Sequence, residues 1–400
     1  MSRLNTLPLA FAEHFEPDNF DEISRKYFRD LRLNGSLYAD PSGWIDTYSE
    51  AALQMPSIST TKDDYGRYYL DVAHTLEPHK TAILELLSQW EGTQYTRDEV
   101  TLCPSVSASS IIVLAALKAL GVESLVLETP CYFATAEQAA HLNMLSNFVP
   151  TYIGNDFQMP EMVEILSKYD NIVFWITQPR ASLGLNQNFD HLWGALSTLN
   201  AKSYLLIDEA TDQTFPALLG LLRNHPNSQR LIKLKNFTKP MGLNGLRVAA
   251  ILHDTSLKRQ IATQIETFGG SIDFHSLKTI AALAGDIGRF RLMLTAANRQ
   301  VIELRRQAEI WCRGTNATVL PLTNGYIGVV AYPIAKSKEL FQAERHRFLA
   351  HFRDRATPVI IGPSMYFASD APLEFVRLNY MSHPQHIIRG MEVLTDFSVC

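Results

Sequence analysis

The chain has 400 residues, of which 46% are hydrophobic and 19% charged, and its 36 basic and 41 acidic residues leave a formal net charge of -5. This is the composition of a globular protein, and the length favours a large domain with a smaller partner, or two domains that share a long element. The weak negative charge provides no bulk attraction for nucleic acid or for an anionic membrane surface.

The amino-terminal segment lacks a basic start followed by a sustained apolar core, so it is not predicted to be a signal peptide. The most apolar helix-like run, residues 108–122, contains Lys118 and is too short to cross a bilayer. We therefore expect a cytoplasmic protein with reduced thiols, no membrane segment and no metal site. The cysteines, which are far apart and form no CxxC pair, are Cys103, Cys131, Cys312 and Cys400.

Apolar runs of strand length alternate with amphipathic, helix-like segments between about residues 68 and 255. Several runs are apolar at consecutive positions, as expected for strands that are covered on both faces. The alternation predicts an α/β fold with a doubly covered, mainly parallel sheet, whose active residues lie on loops at the carboxyl ends of the strands. The predicted strands are 124–130, 147–153, 171–177, 203–210, 230–237 and 246–253.

The pattern changes after residue 280, where one or two long helices are predicted to end at Gly314. Strand-like segments 323–333, 357–363 and 374–380 follow, with a charged helix predicted at 337–355. They indicate a smaller α+β domain. The predicted division is an amino-terminal arm and part of the small domain at 1–60, a large domain at 61–290 and a small carboxyl-terminal domain at 291–400.

One lysine lies in a polar segment with two glycines, directly after an apolar run: NFTKPMGLNGLR, residues 236–247. A nucleophilic lysine needs a confined, partly desolvated site, where the pKa of its ammonium group falls. The glycines let the backbone pass close to a ligand, and Arg247 provides a fixed cation that suits a phosphate. For a single lysine such as Lys239, an exposed residue between two strands is the more ordinary interpretation.

Two further residues follow predicted strands. Asp208 ends an apolar run, where an unpaired carboxylate is costly. Its partner is either a protonated ring nitrogen or a nearby arginine. Tyr132 comes just after another strand, where its ring either covers a planar ligand or packs in the core.

A cluster of hydroxyl groups precedes the apolar helix-like run. Hydroxyl groups and free amides at a helix start form an anion site, although N-capping explains one or two serines equally well. The serines are Ser105, Ser107, Ser109 and Ser110.

The order of these features resembles the fold-type I pyridoxal-phosphate enzymes, specifically the class I/II aminotransferase group, from roughly residue 30 to 395. The family pattern S-x-S-K-x-x-G-L-x-G-x-R is matched at the lysine, both glycines and the arginine. The resemblance implies a large domain with a mainly parallel seven-stranded sheet, a smaller α+β domain and pyridoxal 5'-phosphate as cofactor. The matching residues are Asn236, Thr238, Lys239, Gly242, Leu243, Gly245 and Arg247.

The resemblance also implies roles for single residues. Lys239 would form the Schiff base with the cofactor aldehyde and later move the α-proton, and Tyr132 would stack on the pyridine ring. Asp208 would keep the ring nitrogen protonated, which makes the cofactor an electron sink. Arg377, in EFVRLNYMS, would bind the substrate α-carboxylate bidentately. The phosphate would be held by Arg247, Thr238, Asn236, Ser105, the Val106 amide and Ser107.

The sequence departs from the family pattern around the cofactor's phenolic oxygen. QPRASLG, residues 178–184, replaces the asparagine-proline loop, and Ala181 stands where the asparagine is expected. Gln178 is the candidate to replace it. Thr211 stands in place of the usual tyrosine. These donors help set the imine pKa and which bond breaks, so the sequence leaves two reactions open. One is transamination of an L-amino acid, and the other is an elimination, replacement, decarboxylation or oxidation on the same cofactor.

Family members are usually homodimers with shared active sites, and the resemblance implies the same here. Tyr65 resembles the residue that crosses to the partner's phosphate, with Tyr68 and Tyr69 as nearby alternatives. The second crossing loop, residues 268–277, offers Ser276 or His275, unless it is simply a capped helix start. Residues 33–43 would form the arm over the substrate.

Two other classes of protein fit the sequence less well. A ligand-binding domain of a transcriptional regulator with this fold carries a DNA-binding helical domain upstream, and the first thirty residues are too short and too acidic for one. A nicotinamide-dependent enzyme is disfavoured because no G-x-G-x-x-G follows a predicted strand.

Overall fold

The computed structural model places two principal β-sheets with helices packed against them. Tyr65, the predicted arm at 33–43 and most of the helix predicted at 337–355 lie outside the residues that it describes. The described residues are 55–59, 79–129, 132–150, 152–153, 156–157, 170–180, 183–269, 272–333, 347, 351, 360–362, 373–382 and 384–397.

The strands in the described part of the chain are short to medium in length. In chain order they are β1 (Val100–Cys103), β2 (Ser124–Thr129), β3 (Leu145–Pro150), β4 (Tyr152–Ile153), β5 (Asp156–Phe157), β6 (Ile172–Thr177), β7 (Tyr204–Glu209), β8 (Leu231–Asn236), β9 (Ala249–Leu252), β10 (Thr318–Val319), β11 (Ile327–Pro333), β12 (Ile360–Gly362) and β13 (Leu373–Asn379).

The described α-helices alternate with these strands and then lengthen towards the carboxyl terminus. They are α1 (His79–Glu91), α2 (Val106–Ala119), α3 (Phe133–His141), α4 (Phe189–Thr198), α5 (Lys258–Gln264), α6 (Phe274–Ala284), α7 (Ile287–Cys312) and α8 (Pro384–Thr395). Within the described ranges, no helix is both long and apolar enough to cross a membrane.

The large sheet has seven strands in the order β1-β9-β8-β7-β6-β2-β3. The pairs from β8 through β7, β6 and β2 to β3 are parallel, whereas β9 runs antiparallel to both of its neighbours. Strands β6, β7 and β8 are buried at every position. Consecutive apolar residues predict this for β6 and for most of β7, whereas β8 alternates apolar residues with lysines. The predicted α/β fold with a mainly parallel seven-stranded sheet is confirmed.

Helices cover both faces of the large sheet. Successive strand residues point to opposite faces, so alternate residues of one strand pack against different helices. Val173 and Trp175 of β6 pack in a core with α2, α3 and α5. Phe174 and Ile176, which alternate with them, pack against α4 on the other face. A third apolar cluster, centred on Trp90 of α1, joins α1, α6 and the start of α7.

The small sheet has four antiparallel strands in the order β10-β11-β13-β12. Val330 and Tyr332 of β11 pack with α7 and α8, whereas Val329 and Ala331 belong to the core of the large sheet. Helix α7 contributes to two clusters: its first turns lie with the large sheet and its later turns with the small sheet. It runs without a break through residue 290, so the proposed division at 290/291 falls inside a helix and stays a prediction.

Three details differ from the sequence-based expectations. The segment 147–153 is two strands, β3 and β4, and not one. The last predicted strand of the large sheet starts at Ala249 and not at residue 246, because residues 242–248 connect the turn Lys239–Met241, here called the lysine turn, to this strand. Strand β1 was not predicted, since its four residues are too few to show a period.

Candidate active site

The carboxyl ends of the parallel strands meet at one end of the large sheet. Because β9 is antiparallel to both β1 and β8, strands β1 and β8 run in the same direction, and the segment that enters β9 starts at this end too. Loops at this end are the usual position of active residues in such sheets. The predicted residues brought here are Ser105, Val106, Ser107, Tyr132, Gln178, Asp208, Thr211, Asn236, Thr238, Lys239 and Arg247.

Lys239 lies in a fixed turn, and not in the open polar loop that its sequence suggested. The single 3₁₀ turn Lys239–Met241 ends at Gly242, whose φ of 73° is left-handed and favours glycine. The side-chain oxygen of Asn236 accepts hydrogen bonds from the backbone N–H groups of Thr238 at 2.9 Å and of Lys239 at 2.7 Å. The backbone is therefore held, and movement is left to the Lys239 side chain.

The predicted phosphate donors of this turn have structural partners. Thr238 is fully buried, and its hydroxyl group donates to the carbonyl of Leu246 at 2.9 Å. The Asn236 oxygen is engaged with the turn. Phosphate contacts from these two residues stay predictions. A Cβ at Gly245 would meet no other protein atom, and its φ is not positive, so the close approach of this backbone to a ligand stays a prediction.

Lys239 and Asp208 act on each other electrostatically. Burial raises the pKa of the Asp208 carboxyl group above its usual range, and the charge of Lys239 opposes that shift. Burial lowers the pKa of the Lys239 amine, Arg247 lowers it further, and Asp208 opposes both. Desolvation and a neighbouring cation favour a nucleophilic lysine, and here they outweigh the opposing charge of Asp208.

Asp208 is fixed at the end of β7. One of its carboxylate oxygens accepts a hydrogen bond from the backbone N–H of Ala210 at 2.9 Å, and its backbone carbonyl accepts one from Gln178 at 2.8 Å. The side chain is 6% exposed. A carboxylate at this depth requires a positive partner, and Lys239 provides one.

The serines at the start of α2 divide between capping and other contacts. Ser105 is the N-cap, and its hydroxyl oxygen accepts from the backbone N–H of Ala108 at 3.1 Å. Ser109 and Ser110 donate to backbone carbonyls one turn earlier. The hydroxyl oxygen of Ser107 lies 3.4 Å from that of Tyr132, so the structure brings the helix start and the predicted stacking residue together.

Arg247 is exposed, and its backbone N–H donates to the hydroxyl group of Ser276 at 3.2 Å. Ser276 is buried in the first turn of α6, which Asp273 caps. The capped helix start that was one interpretation of residues 268–277 is therefore present. His275 is the exposed candidate for a contact with a partner chain.

Gln178 is fully buried, and both polar ends of its side chain are engaged. Its amide nitrogen donates to Asn186 at 2.9 Å, and its oxygen accepts from the backbone N–H of Gln187 at 2.8 Å. Any contact with a cofactor would have to use its remaining hydrogen-bonding capacity. Thr211 is partly exposed, three residues after Asp208.

Arg377 lies in the middle of β13, paired with Val329 on β11 and Ile360 on β12. Cross-strand partners share a face of the sheet, and Val329 packs into the core of the large sheet. Arg377 is therefore on the face of the small sheet that is turned to the large one, and it is partly exposed.

The sequence profile described as aminotransferase class I and II matches residues 50–386. The chain belongs to this family. A search of curated proteins finds no significant sequence match.

Solved aminotransferases share the fold. The Escherichia coli protein YbdL, described with a methionine aminotransferase function, aligns over 92% of this chain and 98% of its own, at 15% identity and a TM-score of 0.66. A Thermus thermophilus aspartate aminotransferase mutant aligns over 87% and 98%, at 13% identity and a TM-score of 0.65. A Pyrococcus horikoshii aromatic aminotransferase aligns over 85% and 92%, at 14% identity and a TM-score of 0.65. The protein is an enzyme of the aminotransferase type with the fold-type I architecture.

A buried charge cluster in this protein was not foreseen from the sequence. It consists of Glu91, Glu209, Lys233 and Lys235, all of which are at most 1% exposed. Lys233 and Lys235 each contact both carboxylates, with distances to Glu209 of 2.9 and 2.8 Å. The Lys235 amine also lies 4.3 Å from the centre of the Trp90 ring. In the sequence, lysines alternate with apolar residues in β8, a pattern that is typical of a solvated face.

The pKa values of the two lysines in the buried charge cluster move in the direction opposite to that of Lys239. Burial lowers the pKa of Lys233 and Lys235, but the two carboxylates outweigh it and raise both values. Burial raises the pKa of Glu91, yet the two lysines outweigh it and hold that pKa at about 2. These lysines are protonated ion-pair partners, and not nucleophiles.

A second buried pair lies beside the Gln178 loop. Arg180 approaches Glu128 of β2 at 3.4 Å, and the side-chain amide of Gln187 donates to Glu128 at 2.6 Å. Burial raises the pKa of Glu128, and the charge of Arg180 opposes that shift. This pair fastens the loop after β6 to β2.

Proposed function

We propose that this enzyme is a pyridoxal-phosphate-dependent aminotransferase that acts on an L-amino acid through a Schiff base at Lys239. The observation that carries the proposal is the placement of Lys239 and Asp208 at the carboxyl end of the large sheet, where each acts on the pKa of the other. One residue is a desolvated amine, and the other is a buried carboxylate held by the backbone. Among Lys233, Lys235 and Lys239, which lie within seven residues, Lys239 alone has its pKa lowered.

The donor set at this end of the sheet fits pyridoxal phosphate. Asp208 provides a negative charge for a protonated ring nitrogen, and Lys239 provides the amine for an aldehyde. The first amides of α2, at Val106 and Ser107, have no acceptor within the helix and suit a phosphate, as do the hydroxyl protons of Ser105 and Ser107. The further phosphate ligands that we propose are Arg247, Thr238 and Asn236, with Tyr132 covering the ring and Gln178 and Thr211 near the phenolic oxygen.

When bound, pyridoxal phosphate supplies an electron sink for the charge that develops at the substrate Cα. Lys239 Nζ is then the base that takes the proton from Cα and returns it. Its lowered pKa supports this role, because a base is available only in its unprotonated form. Asp208 keeps its negative charge opposite the ring nitrogen and so favours the protonated ring.

The substrate would be oriented by Arg377. A guanidinium group binds a carboxylate bidentately and so fixes the direction of the Cα–H bond. The position of Arg377 on the face of the small sheet that is turned to the large one supports this role. We also propose a cytoplasmic homodimer whose partner chain completes the site, with Tyr65 and His275 as the crossing residues.

Cofactor attachment is tested by reducing the enzyme with borohydride in the presence of pyridoxal phosphate and mapping the modified peptide. We expect the label on Lys239 and none on Lys233 or Lys235, which serve as internal controls of the same chemistry. A Lys239→Ala variant should bind the cofactor without covalent fixation and lose at least about 10²–10⁴-fold of its turnover. Label spread over several lysines, or no label, would contradict the proposal.

The reaction type is tested with a panel of amino acids together with 2-oxoglutarate or pyruvate, followed by mass spectrometry. Transamination gives a new amino acid and a new 2-oxo acid in equal amounts. Release of ammonia, carbon dioxide or peroxide without a second amino acid would instead show an elimination, decarboxylation or oxidation. The burial of Gln178 and the threonine at 211 favour this second candidate, because both replace usual donors to the phenolic oxygen.

A further inference from the structure

Gln213 connects the lysine turn to the segment that follows Asp208. Its side chain is 5% exposed, and its amide nitrogen donates to the carbonyl oxygen of Pro240 at 2.7 Å. Pro240 is the residue directly after Lys239, within the same turn. Gln213 comes five residues after Asp208, so its backbone is part of the segment that follows β7.

Gln213 is held from its other side by the loop that enters the small sheet. Its backbone N–H donates to the side-chain oxygen of Asn324 at 3.0 Å. Asn324, which is 4% exposed, donates in turn to Asp212 at 2.7 Å and to Asn186 at 3.0 Å. The glutamine is therefore part of a buried hydrogen-bond network whose geometry is fixed at several points.

The other hydrogen bonds of the turn do not make this connection. Those from the Lys239 backbone to Asn236 and from Thr238 to Leu246 stay within residues 236–247, so they move with the turn. Of the bonds described for Lys239–Met241, the one from Gln213 joins the turn to the segment after β7. The energy of a charge pair depends on its separation, so this bond controls how strongly Lys239 and Asp208 interact.

We propose that Gln213 is a positioning residue for Lys239: it fixes the turn Lys239–Met241 against the segment after Asp208. The inference rests on the proposed function, since it gives Lys239 the reactive amine. Without the bond, the Pro240 carbonyl loses a buried partner, and the turn relaxes towards solvent. Burial is the largest cause of the low pKa of Lys239, so relaxation raises that pKa towards the ordinary lysine value, with Asp208 and Arg247 still acting on it.

The test compares Gln213→Met with a matched control, Gln187→Met, in the cofactor-free enzyme. Gln187 is also a buried glutamine whose amide nitrogen donates to a backbone carbonyl, that of Thr177 at 2.9 Å, and also to Glu128 at 2.6 Å. None of the hydrogen bonds described for its side chain reaches the turn Lys239–Met241. The measurement is the pH dependence of Lys239 modification by an amine-reactive reagent, quantified by mass spectrometry, with the exposed Lys258 as reference.

We expect the protonation constant of Lys239 to rise at least about threefold in Gln213→Met and to stay unchanged in Gln187→Met, although both variants lose stability. In the enzyme loaded with pyridoxal phosphate, the pH at which its absorbance changes should move in Gln213→Met alone. If Gln213→Met does not fold, Gln213→Asn, whose shorter amide does not reach Pro240, should move the midpoint in the same direction. If a folded variant at position 213 keeps the parent enzyme's pH midpoint for modification of Lys239, the inference is overturned.

Failure of the proposed function gives a different result. In that case borohydride would fix no cofactor to Lys239 in the parent enzyme, while the comparison of midpoints in cofactor-free protein would still decide the role of Gln213.

Discussion

Two lysine–carboxylate arrangements involve neighbouring residues of β7, with lysines from β8 in one and from the turn after β8 in the other. Asp208 and Glu209 are consecutive residues of β7, so they point to opposite faces of the large sheet. Asp208 and Lys239 act on each other through their charges at the candidate site, whereas Glu209 forms ion pairs with Lys233 and Lys235 in the buried charge cluster. Burial lowers the pKa of the first lysine, whereas the pKa values of the other two are raised despite burial.

The difference shows that burial alone does not make a lysine reactive. In the buried charge cluster each ammonium group has two carboxylates, and their attraction exceeds the cost of desolvation. Lys239 has one carboxylate and a neighbouring arginine, so desolvation prevails. Three lysines close in sequence thus divide into two structural cations and one candidate nucleophile.

Removing one cation from the buried charge cluster should have the largest effect. Lys235→Met leaves a carboxylate without full compensation in the core, which we expect to lower the free energy of unfolding by about 3–5 kcal/mol. The measurement is denaturant unfolding monitored by circular dichroism and by tryptophan fluorescence, since Trp90 lies against this lysine.

A double variant sharpens that result. Lys235→Met with Glu91→Gln leaves Lys233 and Glu209 as a neutral pair at 2.9 Å, so the double variant should be more stable than the sum of its two single changes predicts. Strict additivity would show that the four residues do not act as one electrostatic unit.

The Asp208→Asn variant tests the electrostatic interaction between Asp208 and Lys239. Asp208 raises the pKa of Lys239, so its removal should lower that pKa further, as seen by modification of Lys239 against pH in cofactor-free enzyme. Turnover of the loaded enzyme should fall by about 10²–10³-fold, the scale for loss of one preorganised electrostatic contact. An unchanged Lys239 midpoint would mean that the two residues are not coupled.

Arg247→Gln should give the smallest shift, with the opposite sign. Arg247 lowers the pKa of Lys239, so neutralising it should raise that pKa. The effect is smaller than that of Asp208→Asn because Arg247 is exposed and water screens its charge. The same modification assay measures it, and a fall in the midpoint would contradict the assignment of signs.

Much of the fold could be predicted from the sequence, because strands covered on both faces are apolar at consecutive positions. The same pattern located Asp208 and Lys239, since a polar residue directly after such a strand must lie at the end of the sheet. Strand β1 could not be found in this way, because four residues show no period and its pairing is decided by β9.

The buried charge cluster and the Gln213 contacts depend on residues far apart in the chain. Glu91 is at the end of an ordinary amphipathic helix, and no local pattern indicates that it meets lysines more than a hundred residues later. Lysines that alternate with apolar residues in a strand are typical of a solvated face. Here α1 covers that face, so tertiary packing reverses the local expectation.

Helix α7 has a consequence for how the molecule unfolds. Phe290 and Met293 anchor its beginning among residues of the large sheet, and Val301 and Leu304 anchor its later turns beneath the small one. One continuous row of backbone hydrogen bonds thus belongs to two cores. Unfolding of the small sheet would remove contacts from the later turns of α7 while its first turns remain packed against the large sheet. We therefore expect unfolding of the two cores to be partly coupled.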